Sequence, residues 1–94
     1  MPYIVPNKRE LFDKLLEEAG NISTAGELNY VITRIADIYL CNLGLTYTNI
    51  NEVIGVFECA KLEFYRRIAS PYEELKMEEN TDVYSESNLT HRSS

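Results

Sequence analysis

A start signal for helix formation occurs four times in this chain. Asn7, Thr24, Asn49 and Ser70 are each followed three residues later by a glutamate, Glu10, Glu27, Glu52 and Glu73. In such a pair the first side chain accepts from an early helical amide and the glutamate reaches back to the cap, so each pair predicts a helix N-terminus. Apolar residues at helical spacing follow every one. Leu11, Phe12, Leu15, Leu16 and Ala19 share one face before Gly20, which ends the first helix as a C′ glycine does. Leu28, Val31, Ile32, Ile35, Ile38, Tyr39 and Leu43 form the stripe of a second, long helix that stops before Gly44. Ile50, Val53, Ile54, Phe57, Ala60, Phe64 and Ile68 carry a third helix to about Ala69, and Pro71 suits the first turn of a short fourth one ending near Glu79. Period-two alternation is absent, which excludes strands.

An all-α fold follows. Helices two and three are joined by the short loop 44–48 and predict a long antiparallel hairpin. The short N-terminal amphipathic helix lies across it, and the short C-terminal helix completes one helical domain over residues 1–80, followed by a polar, mobile tail over 81–94. A chain of 94 residues has room for one core, and a hydrophobic content of 45% predicts that it is packed.

The formal charge of −6 repels phosphate backbones and anionic lipid headgroups, which disfavours generic nucleic-acid or membrane binding. No leader pattern and no run approaching roughly 18 apolar residues is present, so a soluble protein of the cytoplasm is expected. Cys41 and Cys59 show no CxxC spacing and His91 is the one histidine, so a zinc site lacks ligands. Two buried thiols are the expectation, with no metal and no cofactor. No nucleophile elbow, metalloprotease helix, P-loop or dinucleotide glycine pattern occurs, so no catalytic residue is assigned.

One residue breaks the pattern of helix three. Lys61 sits in the apolar stripe, with Ile54 and Ile68 seven residues to either side and Phe57 and Phe64 near it. An ammonium in such a place needs a partner, and Glu58 and Tyr65 are each about one turn away. With Arg66 and Arg67 these residues make the one basic cluster of an acidic chain, and Glu58, Lys61, Tyr65, Arg66 and Arg67 form a candidate site for an anionic ligand. A bland account competes with it: Lys61 pairs with Glu58, Glu63 pairs with the arginines, and cations suit a helix C-terminus.

The long helices also carry second apolar faces. Val56, Cys59 and Leu62, with Gly55 between them, lie opposite the stripe of helix three, and Tyr30 and Leu40 lie off the stripe of helix two. A monomer of this size would leave these residues in water, whereas a homo-oligomer would cover them, so they are candidate interface positions in an oligomeric bundle.

Three stretches, Thr24 to Thr33 (TAGELNYVIT), Ile50 to Tyr65 (INEVIGVFECAKLEFY) and Arg66 to Tyr84 (RRIASPYEELKMEENTDVY), resemble an uncharacterised family of small helical proteins common in bacteriophages and bacterial genomes, a domain of unknown function. The resemblance implies a phage-type accessory protein acting inside a bacterial cell and supplies no active site. The expected function is therefore binding: a homo-oligomer that takes up a small anionic nucleotide-type signal or inhibits a host protein, countering host defence. A second reading is a magnesium-dependent nucleotide pyrophosphatase using Glu27, Glu52 and Glu58, since the helical layout is similar to that of MazG-like enzymes. Their ExxE and ExxD pairs are absent, because Gly55 follows Glu52 and Tyr30 follows Glu27 at that distance. A third reading is a purely structural interaction module in which the polar seam sets helix register.

Overall fold

Thr24 shows how closely the chain follows its local signals. In the computed structural model, which describes residues 2–89, its hydroxyl accepts from the Glu27 amide at 3.1 Å. The Glu27 carboxylate reaches back one residue beyond the cap, to the Ser23 amide at 2.8 Å and the Ser23 hydroxyl at 3.1 Å. This capping box starts α3, Ala25–Leu43, the second helix expected from the sequence.

The remaining starts fall elsewhere. The first amphipathic segment comprises α1 (Pro6–Arg9), a 3₁₀ turn (Glu10–Phe12) and α2 (Asp13–Ala19). Asn7 lies inside α1 and does not cap it, because Pro6, whose fixed φ suits a first helical turn, begins the helix one residue earlier. The Arg9 Nε donates to the Ile4 carbonyl at 3.0 Å and ties down the entering chain. Gly20 follows α2 with a right-handed backbone, φ −60°, so it ends the helix without the left-handed turn of a C′ glycine.

Gly44 does use its freedom. Its φ of 106° is open to glycine and strained for other residues, and it terminates α3. Its carbonyl accepts from the Thr46 amide at 3.1 Å and from Asn49 Nδ2 at 2.9 Å. Thr46, not Asn49, caps α4 (Tyr47–Phe64), because the Thr46 hydroxyl accepts from the Asn49 amide at 3.1 Å. The helix thus starts three residues before the expected first position, Ile50, and Asn49 is spent on the loop.

The expected break at Ser70 is absent. From Phe64 the helical path continues through a π turn, Tyr65–Ala69, into α5, Ser70–Asn80. The Ser70 amide donates to the Tyr65 carbonyl, five residues back. Pro71 is the physical reason: it has no N–H for the Arg67 carbonyl and its ring crowds that carbonyl, so the turn before it widens. Thr81, with φ 66°, ends α5, and a last helix, α6 (Glu86–Leu89), lies in the region read as tail. Residues 90–94 of that tail, His91 among them, lie outside the described residues.

The described chain divides into two units at the Ala60–Lys61 junction, within α4. Among the described residues every element is helical or turn, so the all-α class stands. The packed core does not: no described side chain is buried in the single chain, apolar or polar. The stripes of α3 and α4 are open to solvent, with Ile38 51% and Ile54 59% exposed. Cys41 and Cys59, expected as buried thiols, are exposed for the same reason. Among the described residues no helix is long and apolar enough to cross a membrane.

Candidate functional site

Glu58 belongs to the first unit, and Lys61, Tyr65, Arg66 and Arg67 to the second. All five are exposed. Lys61 occupies the last turn of α4, and because the helical path runs on into the π turn no free helix end stands beside it. Tyr65, Arg66 and Arg67 lie in the π turn.

Arg66 and Tyr65 each hydrogen-bond a neighbouring carboxylate. Arg66 Nη2 donates to both carboxylate oxygens of Glu63 at 2.9 Å, an exposed pair three residues apart. The Tyr65 hydroxyl donates to Glu73 Oε1 at 3.0 Å, eight residues on. That bond, strengthened by the carboxylate charge, raises the Tyr65 pKa above its ordinary value, with a lesser push from partial desolvation. Tyr65 therefore joins the π turn to α5.

On α5, Lys76 Nζ pairs with Glu79 at 3.2 Å and stands 5.6 Å from the centre of the Tyr72 ring. Beyond Thr81, the Asp82 carboxylate accepts from the Tyr84 amide at 2.9 Å and closes a tight turn. Between α5 and this turn lies an open groove of about 460 Å³, lined by Ser70, Glu73, Glu74, Lys76, Met77 and Asn80 on one side and residues 81–84 on the other. Sequence reasoning did not find this groove or the Tyr65–Glu73 bond. The available signal was Pro71 inside a continuing apolar pattern, which marks a change of helical register.

The candidate interface positions are open in the single chain. Tyr30 is 65%, Val56 64% and Leu62 56% exposed. Gly55 and Cys59 are exposed and Leu40 is half-buried. A Cβ added at Gly55 would meet open space.

One carboxylate of the pyrophosphatase reading, Glu27, has another occupation. Glu27 is engaged by Ser23, whose amide first and hydroxyl second lower the carboxyl pKa. Among the described residues no three His, Cys, Asp or Glu side chains gather where a metal ion would fit.

Together these observations define a small α-helical protein with open apolar stripes and one basic stretch. The chain belongs to the family described as a domain of unknown function, DUF6899, whose model matches residues 1–83. No curated protein and no solved structure matches it.

Proposed function

We propose that this protein is a homo-oligomeric helical module of phage type that acts by binding a small anionic, nucleotide-type ligand or a host protein inside a bacterial cell. The observation that carries the reading is the absence of any buried side chain among the described residues. In proteins most of the stability of helices such as these two, of 19 and 18 residues, comes from packing of an apolar face rather than from propensity. Ordering a residue costs about 1–2 kcal/mol of backbone entropy, and burying each Leu, Ile or Phe contributes about 1.5–3 kcal/mol. A chain that fully buries no residue of its stripes alone gains the rest of that stabilisation by packing on other chains.

In this reading α3 and α4 close as an antiparallel hairpin within an oligomeric bundle, and Tyr30, Leu40, Gly55, Val56, Cys59 and Leu62 face other subunits. Lys61, Arg66, Arg67, Tyr65 and Glu58 provide the polar contacts to an anion, as guanidinium and ammonium groups in an acidic chain do. The Glu63–Arg66 and Tyr65–Glu73 bonds favour a second reading, in which these groups hold register in a purely structural module.

Native mass spectrometry of the protein after incubation with a bacterial extract separates these. A closed oligomer carrying a nucleotide-sized adduct, lost in Lys61→Met, supports ligand binding. An oligomer without adduct supports the structural module. A bare monomer overturns both.

A further inference from the structure

The Tyr65–Glu73 bond shows that residues eight apart stack on one line across the π turn. In a regular α-helix eight residues make about 2.2 turns and would point apart. The same widening puts Arg66 in line with Glu74 and Leu62 in line with Ser70. Ser70, Glu73, Glu74 and Met77, spaced by three and four, then continue that face along α5. It is one face, with a cation and an apolar residue before Ser70 and carboxylates and an apolar residue after it.

The charge pattern reverses about the same point. Residues 61–69 carry three cations and one carboxylate, whereas 70–80 carry four carboxylates and one cation. Arg66 and Glu74 stand four residues either side of Ser70, and Arg67 and Glu73 stand three either side. Leu62 and Met77 are equidistant from the Ala69–Ser70 junction. At that junction both side chains are small and half-buried, so another helix can approach closely.

We infer that a second copy of this chain packs antiparallel on this face about a two-fold axis at Ala69–Ser70, with Arg66 of each copy against Glu73 and Glu74 of the other. Rotation about such an axis sets residues equally far before and after it opposite each other, so Arg66, the cation of this face, meets Glu73 with Glu74 beside it, and Leu62 meets Met77. A parallel arrangement would stack like charges. The groove beside α5, with Met77, Glu73 and Glu74 in its lining, suits a side chain with an apolar stem and a cationic head. The Arg66 guanidinium has five donors in a planar fork, enough to serve Glu63 of its own chain and a carboxylate of the second copy. This inference deepens the oligomeric reading above and rests on it.

Two experiments test it on the full chain. Ser70→Cys, in a background of Cys41→Ala and Cys59→Ala, places one thiol per chain at the axis, where the copies approach most closely. Mild oxidation should give a disulfide-linked dimer on non-reducing electrophoresis, and the same background with Glu79→Cys, on the opposite side of the helix from Ser70, should give none. Sedimentation of Arg66→Glu and of Glu74→Arg should show dimerisation weakened about tenfold or more in each alone, and restored when the two are mixed. An oligomer that neither cross-links through Ser70→Cys nor responds to the charge reversals overturns this geometry and leaves the oligomeric reading standing. A monomer at every concentration overturns both.

Discussion

The Tyr65 hydroxyl donates to Glu73 Oε1 at 3.0 Å across a π turn, fastening the end of one helix to the start of the next. Because the acceptor is a carboxylate, the bond favours the protonated phenol, and the Tyr65 pKa is raised. A raised phenol pKa means that the native state holds its proton more tightly than the unfolded chain does. The contribution to stability is complete below the ordinary tyrosine value of about 10 and is lost as pH rises through the higher native value. Glu73→Gln should return Tyr65 to the ordinary range in an ultraviolet difference titration. An unchanged titration would show that Glu73 does not govern this phenol.

Pro71→Ala restores an amide to donate to the Arg67 carbonyl and relieves the ring's crowding of it. The π turn should then tighten into regular helix, which moves Tyr65 and Glu73 out of line. Backbone chemical shifts over 65–70 should become α-helical, and the Tyr65 titration should fall towards the ordinary value. Retention of both π-turn shifts and the raised titration would assign the π turn to another cause.

Glu27 presents the opposite sign. Its carboxyl pKa is lowered by the Ser23 amide and hydroxyl, so the ionised form is the one the fold prefers. That contribution is present above the ordinary carboxylate range and fades as pH falls through the lowered value. The acid side of a circular-dichroism pH profile should flatten in Glu27→Gln. Thr24→Ala, which removes the cap hydroxyl, should cost about 1 kcal/mol of helix stability in a denaturant titration.

Gly44 has φ 106° and ψ 153°, a region that side chains with a Cβ reach only under strain. A Cβ there meets no neighbour, so the effect of a substitution is backbone strain alone. Gly44→Ala should lower stability by about 1–3 kcal/mol. Thermal melts of the two proteins at equal concentration measure it, and equal midpoints would show that the loop relaxes.

Element type was legible in the sequence because it is set locally. The Thr24–Glu27 pair has its amide and carboxylate within reach whatever the rest of the chain does, and it caps α3 as expected. The Asn49–Glu52 pair has the same pattern, but Thr46 lies nearer the turn after Gly44 and takes the role, leaving Asn49 to bond the Gly44 carbonyl. Two adequate caps in one loop compete, and spacing alone does not rank them. The expected packed core depends on contacts between distant residues, which periodicity does not encode. For the candidate site, the Glu63–Arg66 pair was readable from its spacing of three. The Tyr65–Glu73 bond was not, because a spacing of eight becomes a contact when a π turn intervenes.

A π turn holds one residue more than the α turn it replaces. The stretch 65–69 is therefore a place where the chain can lose a single residue and remain helical throughout, with no loop to rebuild. Such a deletion would turn everything beyond it by only about 20° around the helix axis, because seven α-helical residues cover nearly the same two turns as the eight that span the π turn. Glu73, Glu74 and Met77 would go on looking in the same direction, one residue closer to Tyr65. Across related chains, length could vary at this point while α5 kept the surface it offers.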